Sequence, residues 1–238
     1  MKNTILHKAS TRGNANHGWL NAFHSFSFGS WYNAEKIQFG ALRVLNDDTI
    51  AAGMGFGTHP HENMEIITIP LEGDLAHKDN MGNEATIKTG DIQVMSAGTG
   101  VQHSEFNPNP DLQTKIFQIW LFPKTRNVTP RYQQITLDKS LEKNDYAQIL
   151  SPNENDEGVW IHQDAWFYMS DFDKDFSKKL SLKKEGNGFY IMNIEGEIEV
   201  NGERLEKRDA IGIWDTTELS IKANTASKFL VMEIPMEV

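Results

Sequence analysis

Two short stretches in the N-terminal half hold the residue types best suited to chemistry: Gly57-Thr58-His59-Pro60-His61-Glu62-Asn63-Met64-Glu65 and Gly98-Thr99-Gly100-Val101-Gln102-His103-Ser104-Glu105. Seven of the eight histidines lie within the first 103 residues. In an extended strand, side chains two positions apart point to one face, so His59 and His61 can converge on one point. Glu65 has the same parity as His59 and can also face inward. His103 and Glu105 repeat the spacing of two. Neutral imidazoles with a carboxylate suit a borderline divalent ion such as iron, copper, nickel, manganese or zinc. Four ligands on an octahedral ion leave two positions for substrate and for dioxygen or water, as catalysis needs. The bland alternative is that a lone His-x-His is a surface or hydrogen-bonded pair, and a lone His-x-Glu carries less still. Both motifs in one strand-rich segment, each beside glycine turns, strengthen the metal reading.

Composition narrows the chemistry. The 33 acidic residues outnumber the 23 basic ones, a net charge of −10 that repels phosphate backbones, so no direct nucleic-acid partner is expected. There is no cysteine. That removes disulfides, thiolate nucleophiles and zinc-finger patterns together, and any metal must be held by nitrogen and oxygen. No run approaches the roughly 18 apolar residues that span a bilayer, and the first residues lack the apolar stretch of a signal peptide. The expectation is a soluble cytoplasmic protein with no membrane partner.

The elements that must position these motifs read as short strands cut by turns. Residues 65–71 are apolar and β-branched and stop at Glu72-Gly73-Asp74. Residues 74–79 and 84–88 flank Asn80-Met81-Gly82-Asn83, a hairpin turn. Gly90-Asp91 precedes Ile92-Gln93-Val94-Met95, and a long apolar strand covers 114–122 before Pro123. Helical periodicity is confined to weak, short stretches near 138–148 and 171–180. The layout then recurs: Tyr190 to Ile198 reads like Ile67 to Leu75, and Asn201-Gly202 and Arg208-Asp209-Ala210-Ile211 follow. Gly73 to Gly196 is an offset of 123, and Asp91 to Asp209 is 118. At 238 residues the chain can bury two small cores, so an all-β fold of two tandem barrels is expected. The N-terminal domain is placed at 1–130, a connecting region at 131–165 and the C-terminal domain at 166–238.

Gly53, His59, His61, Glu65 and Gly73 together resemble the first cupin motif, with the last glycine one residue late. Gly90-Asp91 through Gly98 to His103 resembles the second, with Ser96 where proline is usual and two extra residues before the histidine. Those departures are the pattern of one branch, the pirin family. Its marks here are Thr58-His59-Pro60-His61, Leu71-Glu72-Gly73, His77-Lys78-Asp79, Met95-Ser96-Ala97-Gly98-Thr99-Gly100 and His103-Ser104-Glu105. His17-Gly18-Trp19, His24 to Phe28, Gln118-Ile119-Trp120 and Thr129-Pro130-Arg131-Tyr132 also fit, and the likeness runs more loosely to the C-terminus.

The resemblance implies a bicupin, two jelly-roll-like barrels, with one divalent transition metal held by His59, His61, His103 and Glu105. Fe(II) is the first choice, with Cu, Ni, Mn, Co and Zn as alternatives. It also implies that Glu65 is a hydrogen-bonded strand residue and no ligand here. His77 is expected at the surface or orienting a ligand, and His17 and His24 in hydrogen bonds of the N-terminal strands. Phe26, Phe28, Trp31 and Phe56 are read mainly as core, with one or two walling a pocket. The offsets carry His59 and His61 to Leu182 and Lys184, and His103 and Glu105 to Ile221 and Ala223, so the second barrel is expected to be metal-free. The resemblance is closest to bacterial pirin-like quercetin 2,3-dioxygenases. It implies a protein that opens the ring of a flavonol with dioxygen and releases carbon monoxide, with Glu105 as the candidate catalytic base; a monomer is expected because tandem barrels already pair internally. The alternative it carries is a metal-bearing regulatory protein whose oxidation state tunes a surface for a partner protein. A sugar isomerase or storage cupin is a third class, because the fold does not fix function.

Overall fold

Runs that alternate between two faces, cut by glycine and asparagine turns, favour strands throughout. The computed structural model describes residues 3–137 and 142–237. Among these the single helical piece is a 3-10 turn over Ala9–Thr11, and no helix is long and apolar enough to cross a membrane.

In chain order the strands are β1 (Asn3–His7), β2 (Gly13–Asn16), β3 (Leu20–His24), β4 (Leu42–Ile50), β5 (Gly55–His61), β6 (Glu65–Glu72), β7 (Leu75–Asp79), β8 (Glu84–Ile87), β9 (Asp91–Ser96), β10 (Val101–Phe106), β11 (Thr114–Leu121) and β12 (Arg131–Thr136). There follow β13 (Ala147–Ser151), β14 (Val159–Trp160), β15 (Trp166–Phe172), β16 (Ser177–Ser181), β17 (Asn187–Glu195), β18 (Ile198–Val200), β19 (Glu203–Leu205), β20 (Ala210–Trp214), β21 (Glu218–Ala223) and β22 (Ser227–Pro235). The weak helical period at 171–180 is not realised. That stretch leaves β15, turns and enters β16, where Lys178 and Leu180 pair with Ile221 and Leu219 of β21. A ladder partner outweighs a faint periodicity. Of the other stretch, 142–146 is irregular or turn and 147–148 opens β13, while 138–141 lie outside the described residues.

Each barrel pairs a seven-stranded sheet with a four-stranded one. The first has the orders β12-β9-β6-β11-β4-β3-β2 and β5-β10-β7-β8, and the second β1-β20-β17-β22-β15-β13-β14 and β16-β21-β18-β19. The two sets match except at one edge, where β3 pairs antiparallel with β2 before it and β13 pairs parallel with β14 after it, so the internal repeat is a repeat of topology through the rest of the barrels. Each half lends its leading strand to the other: β1 pairs with β20 of the second barrel, and β12 pairs with β9 of the first. The stretch 131–165 therefore carries β12 of one barrel and β13 and β14 of the other.

Alternation along these strands divides the core. Ile67, Phe117 and Ile119 point away from their own barrel and cluster with Phe167, Tyr190, Met192 and Leu230 between the two large sheets. Phe189, Ile191, Val231, Leu219 and Ile221 fill the second barrel. The first barrel is apolar only at its ends, around Leu20, Ile50, Leu75 and Ile116 at one and Ile66, Met95 and Val101 at the other. Between them a polar row crosses the large sheet in register: Gln93, Thr68, Gln118, Asn46 and His24, each opposite the next. All five are buried.

Candidate metal centre

The open end of the first barrel brings the two histidine motifs together. Strand β10 runs between β5 and β7, and His103 is opposite His59 on one side and Asp79 on the other. The β5–β10 register slips between His103 and Glu105, so Glu105 faces Phe56 rather than residue 57. Such a bulge re-aims side chains at a sheet rim. The rings of His59, His61 and His103 lie 4.4–4.9 Å apart between centroids, and one ligand atom from each lies within 4.8 Å of the others. His59 Nδ1 is 2.8 Å from the Gly57 carbonyl oxygen, which orients its ring. Nε2 of His61 and of His103 are buried without any hydrogen-bond partner. Buried polar atoms are rarely left so, and convergent imidazole lone pairs are what a borderline divalent cation would satisfy.

Glu105 falls in a second, overlapping group with His77 and His103. Gln118 Nε2 donates to both its oxygens, at 3.0 and 2.9 Å, and Thr68 Oγ1 donates at 3.4 Å. The Gln118 amide is itself oriented by the Trp120 indole N–H, which donates to Oε1 at 3.3 Å. Burial pushes the Glu105 carboxyl up to about 7, against the hydrogen bonds from Gln118 and Thr68. Burial, with the neighbouring imidazoles adding to it, lowers His61 to about 4 and His103 to about 3. Both rings are therefore neutral near pH 7, the form in which imidazole ligates.

Glu65 is buried on β6, where Ser96 Oγ donates to it at 2.6 Å. It is outside both groups of candidate ligands. His24 sits 2.8 Å from Asn46 Oδ1, and the His17 backbone N–H donates to Leu20. His77 is at 1 % exposure, so the surface placement expected for it does not hold. Phe26 joins the core between the barrels. Phe28 stacks edge-on against Trp120, which in turn meets His61, and Phe56 lies beside His59 and Trp19. Trp31 packs over Gly13, where a Cβ would meet the indole at 2.2 Å. A cavity of about 370 Å³ opens at His61, bordered by Pro60, Asn80, Val101 and Gln102. Another, of about 470 Å³, lies between the barrels around Leu71, Met169 and Ile194, and none of the histidines lines it.

Sequence reading gave no role at the site to the residues behind the ligands: Thr68, Asp48 and Gln93 went unmarked, and Gln118 stood only among the family's marks. Asp48 is buried with an unpartnered Oδ1, and burial first, then Asp47 and Glu105, pushes it up to about 8. The available signal was parity, since Thr68 and Gln118 are the single polar residues within the apolar runs 66–71 and 116–121.

Ladder pairing also corrects the offsets used for the second copy. Glu105 is opposite His77, and Ile221 is opposite Val200, the counterpart of His77 at the offset of 123. Glu105 therefore corresponds to Ile221 and His103 to Leu219. Leu219 pairs with Leu180, which takes the place of His59, and Leu182 takes the place of His61. The sequence offsets were two residues long. By the same ladders Gln93, Thr68 and Gln118 become Ile211, Ile191 and Val231. The second barrel offers aliphatic side chains at each of these positions.

Two barrels of this order, one lined with imidazoles and carboxylates and the other with hydrocarbon, define the chain as a bicupin. The Pirin family matches residues 6–121, and the description Quercetinase C-terminal cupin domain matches 148–234. The chain is 41% identical over 230 residues to quercetin 2,3-dioxygenase of Escherichia coli K12, covering 97% of this chain and 98% of that one. It is 38% identical over 222 residues to a pirin-like protein of Caulobacter vibrioides, covering 93% and 95%. The crystal structure of the bacterial pirin YhhW from E. coli in complex with nickel(II) superposes with a TM-score of 0.93 at 39% identity, covering 99% of this chain and 100% of that one. The chain belongs to the pirin family.

Proposed function

We propose that this protein is a metal-dependent dioxygenase that opens the ring of a flavonol such as quercetin and releases carbon monoxide. The observation that carries the reading is the convergence of three imidazoles, two with buried and unpartnered Nε2 atoms, at the mouth of one barrel. The names of the relatives support the reaction class. His59, His61, His103 and Glu105 are the proposed ligands, and the nickel(II) in the E. coli relative supports a borderline divalent ion. Fe(II) remains the first choice for the native metal. When bound, such an ion supplies Lewis acidity toward the flavonol oxygen and a redox partner for dioxygen.

The chain's own residues do the rest. Glu105, pushed to about 7 by burial, is suited to take the flavonol hydroxyl proton near neutrality. Gln118 keeps its donor NH2 on that carboxylate because Trp120 occupies its carbonyl. Trp120, Phe28 and Phe56 present flat apolar surface beside the imidazoles, matched to a planar aromatic substrate. The proposed division of labour is an N-terminal domain (1–130) that carries the chemistry, a connection (131–165), and a metal-free C-terminal domain (166–238) that braces it. We place the protein in the cytoplasm as a monomer, since its barrels already cover one another.

Oxygen uptake with quercetin by metal-loaded protein tests this. Wild type should consume dioxygen and release carbon monoxide, with His59→Ala inactive and Glu105→Gln slowed on the order of 10²-fold or more, as for loss of a general base. Equal activity in all three would end the proposal. Specific retention of one partner protein, with negligible turnover, would favour the regulatory role instead.

A further inference from the structure

His103 is the most buried of the three imidazoles, and the groups behind it bear on which of its nitrogens is free. On β7, His77 and Asp79 share a face beside β10, with Asp79 opposite His103 and His77 opposite Glu105. His77 Nδ1 lies 3.5 Å from His103 Nδ1, and His77 Nε2 lies 3.0 Å from Asp79 Oδ2. All three side chains are buried. Tyr132, from β12, covers the His77 ring at 4.8 Å between centroids.

We propose that Asp79 and His77 form a hydrogen-bonded relay that sets the tautomer of His103, so that its Nδ1 carries the proton and its Nε2 offers the lone pair to the metal. The inference rests on the reading of His103 as a ligand.

Asp79 gives the relay its direction. Its Oδ1 accepts from the Met81 and Asn83 backbone N–H groups at 2.9 and 3.0 Å and from Asn83 Nδ2 at 3.1 Å, and its Oδ2 accepts from Asn83 Nδ2 at 2.8 Å. A carboxylate has only acceptors to give, so the proton it shares with His77 sits on Nε2. A neutral His77 protonated there has a bare Nδ1, which accepts the Nδ1–H of His103. His103 Nε2, buried and without a partner, is then the lone pair beside His59 and His61. With the relay reversed, His103 would aim an N–H at the cation. Metal-bound histidines are commonly backed by a carboxylate that fixes tautomer and ring orientation; here a second imidazole stands between them. His77 is thus a positioning residue and Asp79 its anchor. A His–Asp pair that only filled the barrel would affect folding and leave the His103 ring proton untouched.

The test uses the full-length chain with cobalt(II) as the probe metal. Asp79→Asn keeps the shape. The two backbone N–H groups claim its amide oxygen, so its NH2 turns to His77 and the proton order reverses. His77→Leu removes the relay, and His77→Gln restores an acceptor for the His103 Nδ1–H. Expected are cobalt dissociation constants raised about 10–100-fold in Asp79→Asn and His77→Leu, with recovery in His77→Gln. In proton spectra of the ¹⁵N-histidine-labelled cobalt protein, the exchangeable, hyperfine-shifted Nδ1–H of His103 should persist in wild type and His77→Gln and vanish in the other two. Wild-type affinity and an unchanged His103 signal in Asp79→Asn and His77→Leu would overturn the relay, as would a loss in His77→Gln equal to that in His77→Leu. If wild type takes up no cobalt, or His103→Ala binds it as tightly, the ligand set itself fails and the relay falls with it.

Discussion

Glu105 and the imidazoles differ in how a proton competes for them, and that difference sets the pH range of the centre. Burial keeps His61 and His103 neutral down to about 4 and about 3, so their lone pairs are available across the physiological range. Glu105 is raised to about 7 by the same cause. Lowering the pH therefore protonates the carboxylate well before either of these two imidazoles, and binding a cation below about pH 7 displaces a proton from Glu105. The expected outcome is an apparent Ni(II) affinity that levels off above pH 7 and falls by at least about tenfold per unit well below it. Chelator competition measures it, and Glu105→Gln should flatten the slope while lowering the affinity overall. At this scale the sequence was informative where spacing carries the meaning: His59 and His61, like His103 and Glu105, announce a shared face by lying two apart. Gln118, Thr68 and Asp48 gave no such sign. A lone polar residue in an apolar strand has two faces available, and only its neighbours across the sheet determine which one is the barrel interior.

The element that unites the site is β10, framed by a tight turn at its start. Gly98 sits at φ +47°, and a Cβ there would meet the Val128 carbonyl oxygen at 2.0 Å. Its own carbonyl accepts the Asn63 N–H at 2.9 Å, which ties the end of the first histidine motif to the start of the second. Gly98→Ala should destabilise the protein by on the order of 2–3 kcal/mol, combining a positive φ with a backbone clash. Urea unfolding measures the loss, and a change below about 0.5 kcal/mol, the usual range of a neutral surface substitution, would contradict it. Strand positions and turns were legible from apolar runs and Asn-Gly punctuation. The register of the second copy was not. The stretch from β16 to β17 is two residues longer than its counterpart and that from β20 to β21 two shorter, so an offset fixed at Gly73 and Asp91 is wrong by two at β16 and β21, and a shift of two residues keeps the face while naming the wrong side chain.

Across the whole molecule, the exchange of β1 and β12 and the core between the two large sheets couple the barrels. Composition and the internal repeat foretold two barrels, but an exchange of leading strands leaves no trace in spacing or periodicity. Scanning calorimetry should show one unfolding transition. Deleting residues 1–8, which strips β20 of one of its two partner strands, should lower that single transition rather than split it; two separate peaks in the intact chain would contradict the coupling. The second barrel lines its interior with Leu180, Leu182, Leu219 and Ile221 where the first carries donors, which concentrates the chemistry at one place in the chain. The most direct measurement of that claim is the metal content of protein purified without a metal-affinity tag, by elemental analysis of wild type, His59→Ala and His103→Ala. One divalent transition-metal ion per chain in wild type, and little in either variant, is the predicted result. A full complement of metal in both variants, or none in wild type after incubation with Fe(II) or Ni(II), would contradict it.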